Sequence, residues 1–349
     1  MEPTTAPTAE PVKGMKGSDP KGELMRAIVQ DAYGSAEVLR LTEIPRPQIA
    51  ANEVLVKVVA AGMDRGTSHV TTGKPYLMRV LGFGFRRPKN RVPGLDVAGT
   101  VVAVGAEVTR FKPGDEVFGM SRGAYAEYAP VLETKLAYKP ASLTFEQAAI
   151  VPISGGTALQ SLRKAGSVKA GDKVLVIGAS GGVGTYAVQI AKALGAEVTG
   201  VSSASKLDLV RSIGADHAID YSVGGYLDGA KSYDFIIDIA GNNSLSRLRQ
   251  ALVATGTLVI VGGEEGGSIT GGFGRSLRSG LVSIFVSQRL TMLASKEQAS
   301  DLEELSGYIE KGQVVPIVGK TYPLAQVPAA MAHLEAGEVR GKIAITVQS

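Results

Sequence analysis

The chain has 349 residues, 44% of them hydrophobic and 20% charged, a length beyond one ordinary domain core and a balance that excludes a disordered or fibrous protein. With no cysteine it has no disulfide, no catalytic thiol and no Cys-based zinc site, which suits a cytoplasmic protein, and no run reaches the ~18 apolar residues of a membrane span. The net charge of +4 is spread along the chain; only RVLGFGFRRPKNR (79–91) concentrates base, and without repeated aromatic interleaving it reads as a solvated loop rather than a nucleic-acid surface.

Residues 1–24 are rich in Pro, Thr, Glu and Gly with almost nothing apolar to bury, and are expected to be disordered; they contain no apolar core of a secretory signal. From Met25 to about Ser142 the pattern is strand-like, with MRAIVQ, EVLVKVV, VAGTVVAVG, DEVFG and YAEYAPV separated by Gly and Pro turns. This part is expected to be a Gly-rich, mainly antiparallel β domain. Between its strands lies AAGMDRGTSH, where Asp64 and His69 follow the end of an apolar run. The longer connection TTGKPYLMRVLGFGFRRPKN carries Tyr76, Leu77, Phe83 and Phe85 and suits a hydrophobic lid, a dimer contact or a loop.

At Thr144 the period changes. TFEQ fits a capping box and opens a helical run reaching Gly166. Apolar strands then alternate with helices: KVLVIG, a helix from Gly182 to Leu194, EVTGVS, SKLDLVRSI, HAIDY, YDFIIDIAG, SLSRLRQAL and GTLVIVGG. That alternation predicts a doubly wound parallel sheet over 146–295, inserted between 25–145 and a returning tail, 296–349.

KVLVIGASGGVGTYAVQIAKALGA is the strongest local signal. A strand runs into Ala179, Ser180, Gly181, Gly182, Val183 and Gly184 and then into a helix. Glycines allow close approach of the backbone to a pyrophosphate, and a helix N-terminus offers N–H groups and partial positive charge. The end of the next strand selects the cofactor. An acid there would bind a ribose 2′-hydroxyl, but the position is Ser202, followed by Ser203 and Lys206, which suit a 2′-phosphate and hence NADPH. Ser203 is equally suited to capping the following helix.

VPGLDVAGTVVAVGAEVTRFKPGDEVFG, then GASGGVG, then a tail ending RGKIAITV, resembles the zinc-free quinone oxidoreductase branch of the medium-chain dehydrogenases/reductases, from Met25 to Val347. The resemblance implies a GroES-like catalytic domain beside a Rossmann domain, and a homodimer acting on a small hydrophobic carbonyl or quinone. Zinc-dependent members place ligands where this chain has Asp64, Leu95 and about Ile153, so the comparison implies no catalytic zinc. It further implies cofactor roles for Tyr221, Asn242, Gly262, Gly263, Phe285, Val286 and Lys342. Near the chemistry, His69 is a candidate proton donor or a loop histidine, and Asp64 a helix cap or a second acid. The implied activity is hydride transfer from NADPH to a quinone or enone. Enoyl-thioester reduction and a nucleotide-binding regulatory role without turnover are the alternatives.

Overall fold

The computed structural model describes residues 23–228, 232–241, 243–262, 279, 283 and 286–347. Residues 1–22 lie outside this set, but Leu24, expected in the unstructured leader, instead opens strand β1 (Leu24–Val29), whose register pairs it with Pro45 of β2 (Arg40–Pro45). The alternating burial of β1 explains the earlier start: Met25 and Ala27 are buried against Ala126.

The first domain is built on β3 (Glu53–Met63), β4 (Asp96–Val104), β5 (Glu116–Met120), β6 (Tyr128–Leu132) and β7 (Leu136–Tyr138). They join β14 (Val318–Pro323) and β15 (Lys342–Thr346) in a seven-stranded sheet of order β14-β15-β3-β4-β5-β7, with β6 on β3. Pairing is antiparallel except between β14 and β15. Its interior is filled by Val56, Val58, Phe111, Tyr125, Ile343 and Ile345 among others.

The second domain holds β8 (Lys173–Ile177), β9 (Glu197–Ser202), β10 (His217–Asp220), β11 (Tyr233–Asp238), β12 (Leu252–Ile260) and β13 (Arg289–Met292), all parallel, in the order β10-β9-β8-β11-β12-β13. Successive residues face opposite layers. Val174 and Val176 enter one core and Leu175 and Ile177 the other, which is why these strands are apolar without alternation. The strand order reverses between β8 and β11, and a doubly wound sheet opens its ligand crevice at that reversal.

One boundary differs from the sequence reading. The helical run from Thr144 is broken into Phe145–Ala149 and Pro152–Ala165, because Pro152 has no N–H to extend the first helix and instead starts the second. The helix Ala299–Glu310 packs on both Pro152–Ala165 and β7 of the first domain, with Leu302, Leu305 and Ile309 buried in a cluster that takes residues from both sheets, and β14 then joins the sheet of the first domain. No helix among the described residues is long and apolar enough to cross a membrane.

Candidate active site

A cleft of about 750 Å³ separates the two domains. Its floor on the parallel-sheet side is the turn after β8. Gly178 takes φ 92°, a conformation that a side chain would strain. The N–H groups of Gly178 and Ala179 both donate to the carbonyl of Val201 at 3.0 Å, which ties the turn to β9. Ala179 is fully buried, and Gly184 fits tightly above it. These two shape the turn, whereas Ser180, Gly181, Gly182 and Val183 line the cleft. Gly181 is the N-cap of the helix Gly182–Ala193 and brings no side chain to cover its first turn, so the end that favours anions faces the cleft.

The far end of the cleft is cationic. Ser202, Ser203, Lys206 and Tyr221 all line it. Ser203 occupies an N-cap position without making the cap bond, and its hydroxyl lies 3.3 Å from that of Ser205. Lys206 donates to the carbonyls of Gly337 at 2.6 Å and Val339 at 2.8 Å. Burial, then the charges of Arg340 and Arg65, pull the Lys206 pKa below its ordinary value; only Glu338 opposes them. Three cations thus converge where an anion would relieve their repulsion.

Opposite stands AAGMDRGTSH. Asp64 caps the helix Arg65–Thr72, its Oδ1 accepting from the Thr67 N–H at 2.8 Å. Its buried Oδ2 has no hydrogen-bond partner and lies 3.7 Å from Lys342 Nζ. Lys342, itself buried, forms its close ion pair with Asp96, and Asp96 Oδ1 accepts from the Ile153 N–H at 2.8 Å. Gly62, paired with Asp96 across β3 and β4, leaves room for this carboxylate: a Cβ there would stand 2.8 Å from Oδ2. Burial pushes the Asp96 carboxyl up to about 7 against the pull of Lys342, and the Asp64 charge adds to the rise. His69 also lines the cleft, with Nδ1 at 2.9 Å from the Lys74 carbonyl. A carbonyl only accepts, so Nδ1 carries the hydrogen and the neutral ring presents Nε2 as an acceptor.

Gly262 and Lys342 line the cleft. Val286 is not among the residues that line it; it packs against the apolar cluster that contains Leu258 and Leu290. Asn242, Gly263 and Phe285 lie outside the described residues. Sequence reasoning passed over Arg65, Asp96 and Arg247, of which Arg65 and Arg247 line the cleft. A signal for Asp96 was available: a carboxylate opening the apolar strand DVAGTVVAV needs a partner if it is buried. At the positions where zinc-dependent members hold their metal, the Leu95 and Ile153 side chains carry no donor atom, and the Asp64 carboxylate is already engaged by Thr67 and Lys342. Among the described residues, no three His, Cys, Asp or Glu side chains are grouped to hold a metal.

Comparison with known proteins places the chain in a family. Residues 50–141 match the family model of the alcohol dehydrogenase GroES-like domain, and residues 213–345 that of a zinc-binding dehydrogenase. The chain is 33% identical to the mitochondrial NAD(P)H oxidoreductase RTN4IP1 of Bos taurus over 96% of its own length and 92% of the relative's. It is likewise 33% identical to the chloroplastic NADPH-dependent alkenal/one oxidoreductase of Arabidopsis thaliana, over 92% and 79%. Among solved structures it superposes on the quinone oxidoreductase from Coxiella burnetii with a TM-score of 0.82 and 28% identity, covering 93% of this chain and 100% of that one.

Proposed function

We propose that this chain, which belongs to the medium-chain dehydrogenase/reductase superfamily and within it to the quinone oxidoreductase branch, reduces a quinone or an α,β-unsaturated carbonyl with NADPH and without catalytic zinc. It is an NAD(P)H-dependent oxidoreductase; the cofactor preference, acceptor class and zinc independence are the finer reading. One observation carries it: a single cleft joins the glycine turn after β8 to Asp64, His69 and Lys342 of the other domain.

Bound along this cleft, NADPH supplies the hydride. The turn at 180–183 and the open helix N-terminus suit its pyrophosphate, and Ser203, Lys206, Arg65 and Tyr221 suit its 2′-phosphate and adenosine. A polar group at the end of β9 favours the phosphate because no carboxylate repels it. Asn242, Gly263 and Phe285 stay in the reading on the family resemblance alone. With Leu95 and Ile153 offering no ligand atoms, nothing in the donor set suits a metal that would hold an alkoxide, which favours reduction of acceptors that are already electron-poor. The reduction consumes one hydride and one proton. His69, once protonated at Nε2, holds such a proton at the cleft wall, while Asp64 fixes the geometry of the helix that carries it. The acceptor is a small molecule, and the reading takes the protein as a cytoplasmic homodimer.

The test follows NADPH and NADH absorbance with 1,2- and 1,4-quinones, alkenals and an enoyl-CoA, using wild type, Lys206→Ala and His69→Ala. We expect turnover of quinones or alkenals, an NADPH Michaelis constant raised about tenfold by Lys206→Ala with that for NADH unchanged, and about a hundredfold loss of kcat in His69→Ala. Preference for enoyl-CoA would move the protein to the thioester reductases. NADPH binding with no turnover would leave a nucleotide-binding role only, and equal use of NADH by wild type would overturn the phosphate assignment.

A further inference from the structure

Between Asp64 and Asp96 the chain contains no acidic residue and seven basic ones, Arg65, Lys74, Arg79, Arg86, Arg87, Lys89 and Arg91. Since the whole chain nets +4, the rest of it carries three net negative charges. The basic stretch also contains a local concentration of uncovered apolar side chains: Val80 is 69% exposed and Phe85 73%, with Tyr76 and Phe83 beside them.

This segment has a definite shape. The Tyr33 hydroxyl donates to the carbonyls of Phe83 at 2.9 Å and Gly84 at 2.7 Å. The Arg79 guanidinium stands over the Tyr33 and Tyr76 rings, 4.2 and 4.6 Å from their centroids, and bonds the Gly73 carbonyl. Arg91 is held by Asp31, which also binds Arg40. Arg79 and Arg91 are therefore used inside the protein. Lys74, Arg86, Arg87 and Lys89 remain exposed on the same stretch as Val80 and Phe85.

We propose that residues 74–89 dock the protein on an anionic lipid surface, with Val80 and Phe85 entering the interface and the four exposed cations meeting the headgroups. Apolar side chains flanked by unpaired cations are what a bilayer boundary recognises, and each cation near such a surface adds to the attraction. A second copy seated on this face through a twofold axis would oppose two strongly basic segments, which argues against it. The segment adjoins the cleft, since His69 of the cleft wall contacts the Lys74 carbonyl, so docking sets the cleft close to the lipid boundary. The docking stands on the surface alone and is independent of which acceptor is reduced.

The experiment is cosedimentation of the full chain with vesicles of phosphatidylcholine, with and without phosphatidylglycerol. We expect partitioning onto the anionic vesicles that is lost at about 1 M salt, where the screening length falls to ~3 Å. Arg86→Glu/Arg87→Glu/Lys89→Glu and, separately, Val80→Asp/Phe85→Asp are each expected to weaken partitioning about tenfold or more, with NADPH binding retained as the check on folding. No binding by wild type, binding that both variants keep, or capture by a single-stranded oligonucleotide in place of vesicles would overturn the assignment.

Discussion

Asp64, Asp96 and Lys342 place two buried carboxylates and one buried ammonium at the cleft wall. Because the Asp96 carboxyl is raised from 3.8 to about 7, the folded protein holds this proton more tightly than the unfolded chain does. Its contribution to stability is full below about pH 4 and is lost as pH rises through about 7. Lys342→Met removes the cation that opposes this rise. The variant is expected to be destabilised by about 3–5 kcal/mol at neutral and higher pH, and by clearly less once Asp96 is protonated. Urea unfolding of both proteins between about pH 5 and 8 reads this difference; a loss independent of pH would mean that Lys342 acts through packing alone. This cluster was only half legible in the sequence. Lys342 was named through the family pattern, but its partner Asp96 lies 246 residues away, and no local spacing reports a contact of that range. The capping role of Asp64 was legible because a cap joins near neighbours: the acceptor at 64 and the N–H at 67.

At the scale of elements, the turn between β8 and the helix Gly182–Ala193 depends on one close approach. A Cβ at Gly184 would stand 2.1 Å from the Gly178 carbonyl oxygen and 2.7 Å from Ala179 Cα, both backbone atoms that cannot swing aside. Gly184→Ala is therefore expected to lower stability by about 1–3 kcal/mol and to weaken NADPH binding by displacing the turn. Urea unfolding and cofactor titration check this, and wild-type values in both would show that the turn adjusts freely. Such elements were largely readable because their signals are local. Thr144 and Gln147 form the reciprocal capping box that TFEQ announced, at 3.0 and 3.2 Å. The helix Ala299–Glu310 showed a face to be buried but not its partners, because an amphipathic stripe declares that a face will be buried without declaring against what.

At the scale of the whole molecule, the two domains share one core cluster in addition to the cluster each keeps to itself. The shared cluster takes Ala60, Phe118 and Met120 from the first domain together with Val176 and Ile190 of the second. The segment 337–342 adds polar links, with Gly337 and Val339 receiving Lys206 and the Gly341 N–H donating to the Ser180 carbonyl at 2.9 Å. Calorimetry is expected to show a single transition for both domains, moved to higher temperature as a unit by NADPH, about 2.7 kcal/mol at a hundredfold excess over Kd. Two resolved transitions would show the shared core to be energetically minor. The position of β15, between β14 and β3, also fixes a timetable for the growing chain. The strands from Lys173 to Met292 form a contiguous sheet that can close while translation is still under way, whereas residues 60–63 of β3, beyond the stretch that β6 covers, pair on that flank only with a strand starting at Lys342. Until that late strand leaves the ribosome, the earlier-made half presents an open edge able to pair with a neighbouring nascent chain, so this is the interval in which a chaperone has most to protect.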